Sequence, residues 1–218
     1  MVRGYWQGRN ARRLETDELV EDRMIRKLGV AMGILVVAVV LALVSVWWAL
    51  LRAPSSSSRI TVGPWQTSLV TGSVDADIHT RARIAIGGLF ALNRAEAIYF
   101  GASQDDDRKP LRARCTYLVE GRPVAARWWS VTVYADDHFL IPNAANRYSY
   151  NMGNLKLGPG GTFKVMVSPT EQSGHWLPTG DASGGFNLLF RLYNPAPEIA
   201  ADPGAVRLPS IKQIGACS

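Results

Sequence analysis

Leu28 to Leu51 reads LGVAMGILVVAVVLALVSVWWALL, and none of these residues is charged. As an α-helix rising 1.5 Å per residue, the run is about 36 Å long, enough to cross a ~30 Å hydrocarbon layer with some tilt. A buried core helix is the soluble alternative, but a run this long without polar periodicity argues against it. A cleaved signal peptide is the stronger rival. Its apolar region is normally about 7–15 residues and ends in a small-residue cleavage site. Here the run is longer and closes on Trp47, Trp48 and Arg52, residue types that suit a membrane–water interface. The expectation is a retained single-pass transmembrane helix over 28–51, with the lipid bilayer as its partner.

Basic residues near the run give its orientation. Arg23, Arg26 and Lys27 crowd the N-terminal end, with Arg12 and Arg13 farther back, whereas only Arg52 and Arg59 follow closely. The positive-inside bias then keeps a tail over 1–27 in the cytoplasm and exports the C-terminal part. Residues 14–27 mix acids with bases and are suited to extend the membrane helix. Gly29 and Gly33 form a G-x-x-x-G pair, repeated in kind by Ala38 and Ala42, a spacing that permits close helix contact and hence an oligomer or a structural subunit of a membrane complex.

The formal charge of +6 raises a nucleic-acid reading. The charges are dispersed, with no Lys/Arg-rich stripe, so nucleic acid is not an expected partner. A linker follows the helix over 52–59; its APSSSS stretch has nothing to pack and reads as a flexible spacer.

The exported domain, 60–218, reads as mainly β. Ile60 to Val70 is an opening strand. Asp75 to Leu92 suits one preceding helix, with Asp75 or Asp77 as N-cap and Gly87 and Gly88 as close-packing positions. A short turn follows at Arg94–Ala97. Thereafter the period changes to two. Arg112 to Val119 places Ala113, Cys115 and Tyr117 on one face. Arg127 to Ala135 places Trp129, Val131 and Val133 on one face and Trp128, Ser130, Thr132 and Tyr134 on the other. Asp136-Asp137 predicts a hairpin into Phe139–Ile141, and Gly158–Gly161 a turn into a strand at Phe163–Val167. Phe186, Leu188, Phe190 and Leu192 share a face opposite Asn187, Leu189, Arg191 and Tyr193. Short strands between Gly, Pro, Asn and Asp turns predict an antiparallel β-sandwich or jelly roll. Cys115 and Cys217 are the only cysteines, and both follow the membrane run. Outside the cytoplasm an even pair favours a disulfide; two unrelated thiols are the alternative.

Four stretches carry a family resemblance: ARIAIGGLFALNRAEAIYF (82–100), RWWSVTVYADDHFLIPNAANRYSY (127–150), GPGGTFKVMVSP (158–169) and HWLPTGDASGGFNLLFRLYNPAP (175–197). In order, spacing and aromatic positions they resemble the bacterial domain family of unknown function DUF1214. The resemblance implies a jelly-roll type β-sandwich in a bacterial protein, and so places the anchor in the inner membrane and the domain in the periplasm. In many members the domain follows another uncharacterised domain, DUF1254; here the membrane run stands in its place. The family carries no established reaction, so the resemblance implies no catalytic residue.

The residues themselves point to no catalytic motif, metal or cofactor. His79, His138 and His175 are scattered over a helix, a turn and a loop, and Asp105-Asp106-Asp107 lacks the spacing of a calcium loop and reads as a solvated turn. No G-x-S-x-G elbow or phosphate-binding glycine loop is present. What remains is an aromatic–polar set. Trp128 and Tyr134 alternate on one strand, and Asn187, Arg191 and Tyr193 on another. Asn146, Arg147 and Tyr148 in the loop 143–150, with Trp176, are suited to rim the same area. Such a face is what a small-ligand or glycan site presents. The competing reading makes Trp128 and Trp129 core and cover residues, and gives Arg147 and Arg191 structural hydrogen bonds. The expected function is a membrane-anchored envelope protein with a non-catalytic β-sandwich that binds an envelope protein, glycan or lipid. An exported hydrolase using His175 is the alternative.

Overall fold

The computed structural model describes residues 3–51, 59–70, 72–86, 92–215 and 217, the side chains of 3–22, 50, 51 and 83 excepted. It divides into two units, Met1–Ala53 and Pro54–Ser218. The first is one helix, α1 (Arg3–Leu51), so the helix does extend through the charged tail and begins well before the membrane run. Within it, Arg23–Ala49 is long and apolar enough to cross a membrane. Its large apolar side chains, from Met24 to Trp48, are exposed around the helix. The linker at 52–58 lies outside the described residues.

The second unit is two β-sheets packed face to face. The chain runs β1 (Arg59–Val62), β2 (Trp65–Ser68), α2 (Ile78–Ile86), β3 (Ala97–Ala102), β4 (Tyr117–Gly121), β5 (Ala126–Ala135), β6 (Ser149–Asn151), β7 (Phe163–Ser168), β8 (Trp176–Pro178), β9 (Phe186–Pro195), α3 (Pro197–Ala201) and β10 (Ser210–Gln213). One sheet has the order β1-β2-β3-β9-β5-β6 and the other β10-β4-β7-β8. All pairs are antiparallel except β7–β8. This parallel pair departs from the expected all-antiparallel sheet. It is only three residues long, and the loop before it turns through Gly174 (φ +83°), so a short return suffices.

The two faces predicted for the long strands are the faces observed. Trp129, Val131, Val133, Phe186, Leu188, Phe190 and Leu192 point inward and are buried, against Tyr117, Val119, Phe163, Val165 and Val167 of the second sheet. Trp129 stacks on Phe163 across the layers at 5.0 Å and on Phe190 at 5.5 Å. Tyr117 meets Phe186 edge-on at 5.5 Å. Trp65 is fully buried and donates from Nε1 to the Pro209 carbonyl at 2.6 Å, tying the first sheet to the chain entering β10.

Several boundaries differ from expectation. The opening strand is a hairpin, because Gly63 (φ +60°) and Pro64 turn the chain between β1 and β2. The strand expected from Arg112 starts at Tyr117. Before it, Cys115 N–H bonds the Arg112 carbonyl (3.0 Å) and the Tyr117 hydroxyl accepts the Arg112 N–H (2.9 Å), closing a compact turn whose Ala113 and Cys115 are nonetheless buried. Phe139–Ile141 forms no strand; β6 takes the place beside β5. The chain turns away after a single Ala135 N–H bond to the Phe139 carbonyl, with His138 at φ +67°. Asp77 caps α2, accepting from His79 and Thr80 N–H. Gly87 and Gly88 lie outside the described residues. Asp105 is 2 % exposed, not solvated: its carboxylate accepts the Lys109 N–H and holds the 105–109 turn, while Asp106 and Asp107 are exposed.

Cys115 and Cys217 form a disulfide that closes a loop of sequence separation 102 and ties the chain after β10 to the turn before β4. A cross-link of this span stabilises chiefly by restricting the unfolded chain. Cys217→Ser, or reduction of the wild type, is expected to lower stability by about 3–4 kcal/mol, read as an earlier urea midpoint, with the reduced wild type and the variant coinciding.

Candidate functional site

The inner face of the six-stranded sheet is spent on the core, so its outer face is where the polar members of the alternating strands gather. Register fixes the rows. Arg191 on β9 lies between Tyr99 of β3 and Ser130 of β5; Tyr193 lies between Ala97 and Trp128; Asn187 faces Tyr134. Trp128 and Tyr193 pack at 5.4 Å, and Trp128 keeps 38 % of its surface exposed.

Arg191 is the centre of this face. Its Nη1 donates to Thr132 Oγ1 at 3.0 Å and its Nη2 to the Tyr134 hydroxyl at 2.6 Å, and its guanidinium carbon lies 5.4 Å from the centre of the Tyr134 ring. The half-buried side chain is therefore held by neutral groups alone. No described carboxylate lies within ion-pair distance of it. The guanidinium keeps further N–H donors beyond the two engaged, and Ser130 and Thr132 beside it are buried. Tyr99 shares the face. Burial raises its phenol above the usual value of 10.0, and the neighbouring Tyr193 adds to the shift; the Leu92 backbone and Arg191 pull the other way.

The other predicted site residues collect elsewhere. Arg147 Nη1 donates to the Trp176 carbonyl at 3.3 Å, Trp176 N–H donates to the Tyr150 hydroxyl at 3.2 Å, and Trp176 Nε1 donates to the Ser168 carbonyl at 3.0 Å. Arg147 and Trp176 thus join β6 of one sheet to β8 and β7 of the other. Asn143 anchors the loop by accepting the Arg147 N–H and donating to the Ile141 and Arg147 carbonyls. Asn146 sits at the exposed tip with φ +47°, and Tyr148 is half-buried where its carbonyl accepts the Val133 N–H. The structure brings Trp128, Tyr134, Asn187, Arg191 and Tyr193 to one face and gives Arg147 and Trp176 a bridging position at the sandwich edge.

His175 packs edge-on against Tyr150, and its Nε2 accepts the Lys156 N–H at 3.1 Å. That nitrogen is not free to take a proton from a serine, and no described Ser, Asp or Glu hydrogen-bonds the ring. The three histidines lie in α2, in the turn after β5 and before β8, and no group of three His, Cys, Asp or Glu among the described residues is placed to hold a metal.

Residues not singled out by sequence also meet on the sheet. At its β1–β2–β3 end a pocket of about 280 Å³ is lined by Arg59, Gln66, Ser68, Arg94, Tyr99 and Leu189, among others. These residues come from four separate segments, and no local pattern links them.

A family model described as "Protein of unknown function (DUF1214)" matches residues 96–197, beginning inside the first of the four stretches that carry the resemblance and ending at Pro197, the last residue of the fourth. Among solved structures, the VPA0106 protein from Vibrio parahaemolyticus is 24 % identical, with a TM-score of 0.53 over 64 % of this chain and 36 % of its own length; this likeness is one of fold. An uncharacterised protein from Burkholderia cenocepacia is 17 % identical, with a TM-score of 0.36 over 55 % of this chain and 29 % of its own length. The chain therefore spans about a third of the length of the solved structures it matches. No curated protein matches it.

The Tyr99 shift carries a pH signature. A phenol whose pKa is raised on folding adds stability that is fully present below the unfolded value and is lost as pH rises through the folded one. Wild-type stability should fall as pH passes about 10, and Tyr99→Phe should make that fall shallower, as measured by urea midpoints across this range.

Proposed function

We propose that this chain, whose residues 96–197 are a DUF1214 domain, is a single-pass protein of a bacterial inner membrane that displays a non-catalytic binding domain in the periplasm. Three features support the placement. One helix is long and apolar enough to span a bilayer. The basic residues nearest that span, Arg23, Arg26 and Lys27, lie on its N-terminal side, which favours a cytoplasmic N-terminus. The Cys115–Cys217 disulfide suits an oxidising compartment on the other side.

The binding surface in this reading is the outer face of the six-stranded sheet. The observation that carries it is Arg191: a half-buried guanidinium fixed by Thr132 and Tyr134, flanked by Tyr99, Tyr193 and Trp128, with no acidic partner among the described residues. Its immobilisation lowers the entropy cost of engaging a ligand, and aromatic rims with a few fixed donors are what small-ligand and glycan sites present. The exposed Gly29 and Gly33 face of α1 leaves room for a second helix and so for assembly in the membrane.

Two measurements test this. Protease added to spheroplasts should remove the β domain and leave an N-terminal tag protected on a full-length-derived fragment; protection of the domain instead would overturn the orientation. A photo-crosslinking residue at position 128, in native membranes, should give discrete adducts that Arg191→Gln diminishes severalfold at a temperature where circular dichroism shows the variant still folded. Adducts unchanged by Arg191→Gln, or none from position 128, would overturn the assignment of the face.

A further inference from the structure

We infer that the pocket at the β1–β2–β3 end of the outer face binds an amphiphilic anion, a phosphate-type head on an apolar body, with Arg59 and Arg94 as its charge partners. This inference deepens the reading of that face as a binding surface and rests on it, but it depends on a separate set of side chains.

The pocket has a volume of about 280 Å³, close to the lower limit of small-ligand sites. Both arginines are exposed, and neither side chain has a hydrogen-bond or ion-pair partner among the described residues. Among the described residues, no Asp or Glu lines the pocket. Two cations facing one cavity without an acid repel each other and gain from an anion between them; guanidinium forks match phosphate oxygens in pairs. Gln66, exposed on β2, offers a side-chain amide with no partner among the described residues. Ser68 accepts the Val70 N–H at 3.4 Å, which leaves its hydroxyl proton to donate. The remaining surface is of another kind: Leu189 and the ring of Tyr99 form an apolar floor, continuous with the row that leads to Arg191. A small, fully hydrated anion would leave that floor unused, whereas an apolar body attached to the head covers it. The head is supplied equally well by a membrane phospholipid or by a soluble phosphate amphiphile.

The test uses the full chain in phosphatidylcholine nanodiscs and reads amide hydrogen exchange in segments 59–69 and 94–101. Octyl phosphate should slow exchange there in a saturable way, octyl glucoside should not, and inorganic phosphate should act only at much higher concentration. Arg59→Gln/Arg94→Gln should weaken the octyl phosphate response about tenfold or more. Because neither arginine side chain has a partner among the described residues, the double variant should keep the wild-type unfolding curve. Nanodiscs containing phosphatidylglycerol distinguish the sources. Protection already present without added probe, and lost in the double variant, assigns the head to a bilayer lipid; protection only on adding octyl phosphate assigns it to a soluble amphiphile. Equal potency of inorganic and octyl phosphate overturns the amphiphile. A double variant that responds like wild type, or a wild type that responds to no anion, overturns the site. Failure here with Arg191-dependent adducts from position 128 intact removes the pocket and leaves the face; the converse removes the face as the general binding surface and leaves the pocket.

Discussion

Trp129 lies between two phenylalanines, Phe163 from the opposite sheet and Phe190 from the neighbouring strand of its own, with its ring nearly parallel to both. This three-ring stack is the point at which the two layers are held at a fixed spacing. Each ring carries a large apolar area, and stacked pairs add about 1 kcal/mol beyond burial alone. The rest of the sandwich is arranged around it. Tyr117 and Phe186 make a second aromatic contact between the layers, and within the six-stranded sheet Trp65 meets Phe190 edge-on, with Ala102 and Ala113 buried in the same core. The two covalent ends of the domain are drawn in by the same core: Trp65 bonds the carbonyl of Pro209, and Cys115, 1 % exposed, holds Cys217.

Strand alternation carries that constraint outward. Because Trp129, Val131 and Val133 must face inward, Trp128, Ser130, Thr132 and Tyr134 face outward, and on β9 Asn187, Leu189, Arg191 and Tyr193 do likewise. Apart from Leu189 those outer residues are aromatic or polar, and Arg191 is seated among them by two neutral hydrogen bonds. A guanidinium so placed is paired geometrically and, among the described residues, uncompensated electrically, which is the condition for an incoming polar or anionic group to gain from it. The proposed binding face and the pocket beside it thus follow from the packing of the opposite side of one sheet.

The period-2 faces of β5 and β9 were legible in the sequence residue by residue, as was the disulfide, since two cysteines beyond a membrane run leave one intramolecular pair. The hairpin at Gly63-Pro64 was hidden because the flanking strands are four residues each, too short to show a period. Arg112 to Thr116 misled because its alternate burial imitates a strand; the burial comes from a compact turn packed under the sheet. Asp105 looked solvated because three acids in a row usually are, whereas one of them is consumed as the internal cap of its own turn. Of the candidate site, the sequence could group Trp128 with Tyr134 and Arg191 with Tyr193. It could not separate these from Arg147 and Trp176, whose hydrogen bonds join different sheets.

By itself, the sequence determined that one helix has the length and apolarity to span a membrane and that a β-rich domain follows it, because helix hydropathy and strand alternation are local properties of consecutive residues. Only the tertiary structure decided that β9 lies between β3 and β5, that Arg191 therefore sits among Tyr99, Ser130 and Thr132, and that Arg59 and Arg94 line one pocket. Strand order and register are set by long-range packing, in which inward rings meet partners from distant strands of either layer, and no window of neighbouring residues contains that information.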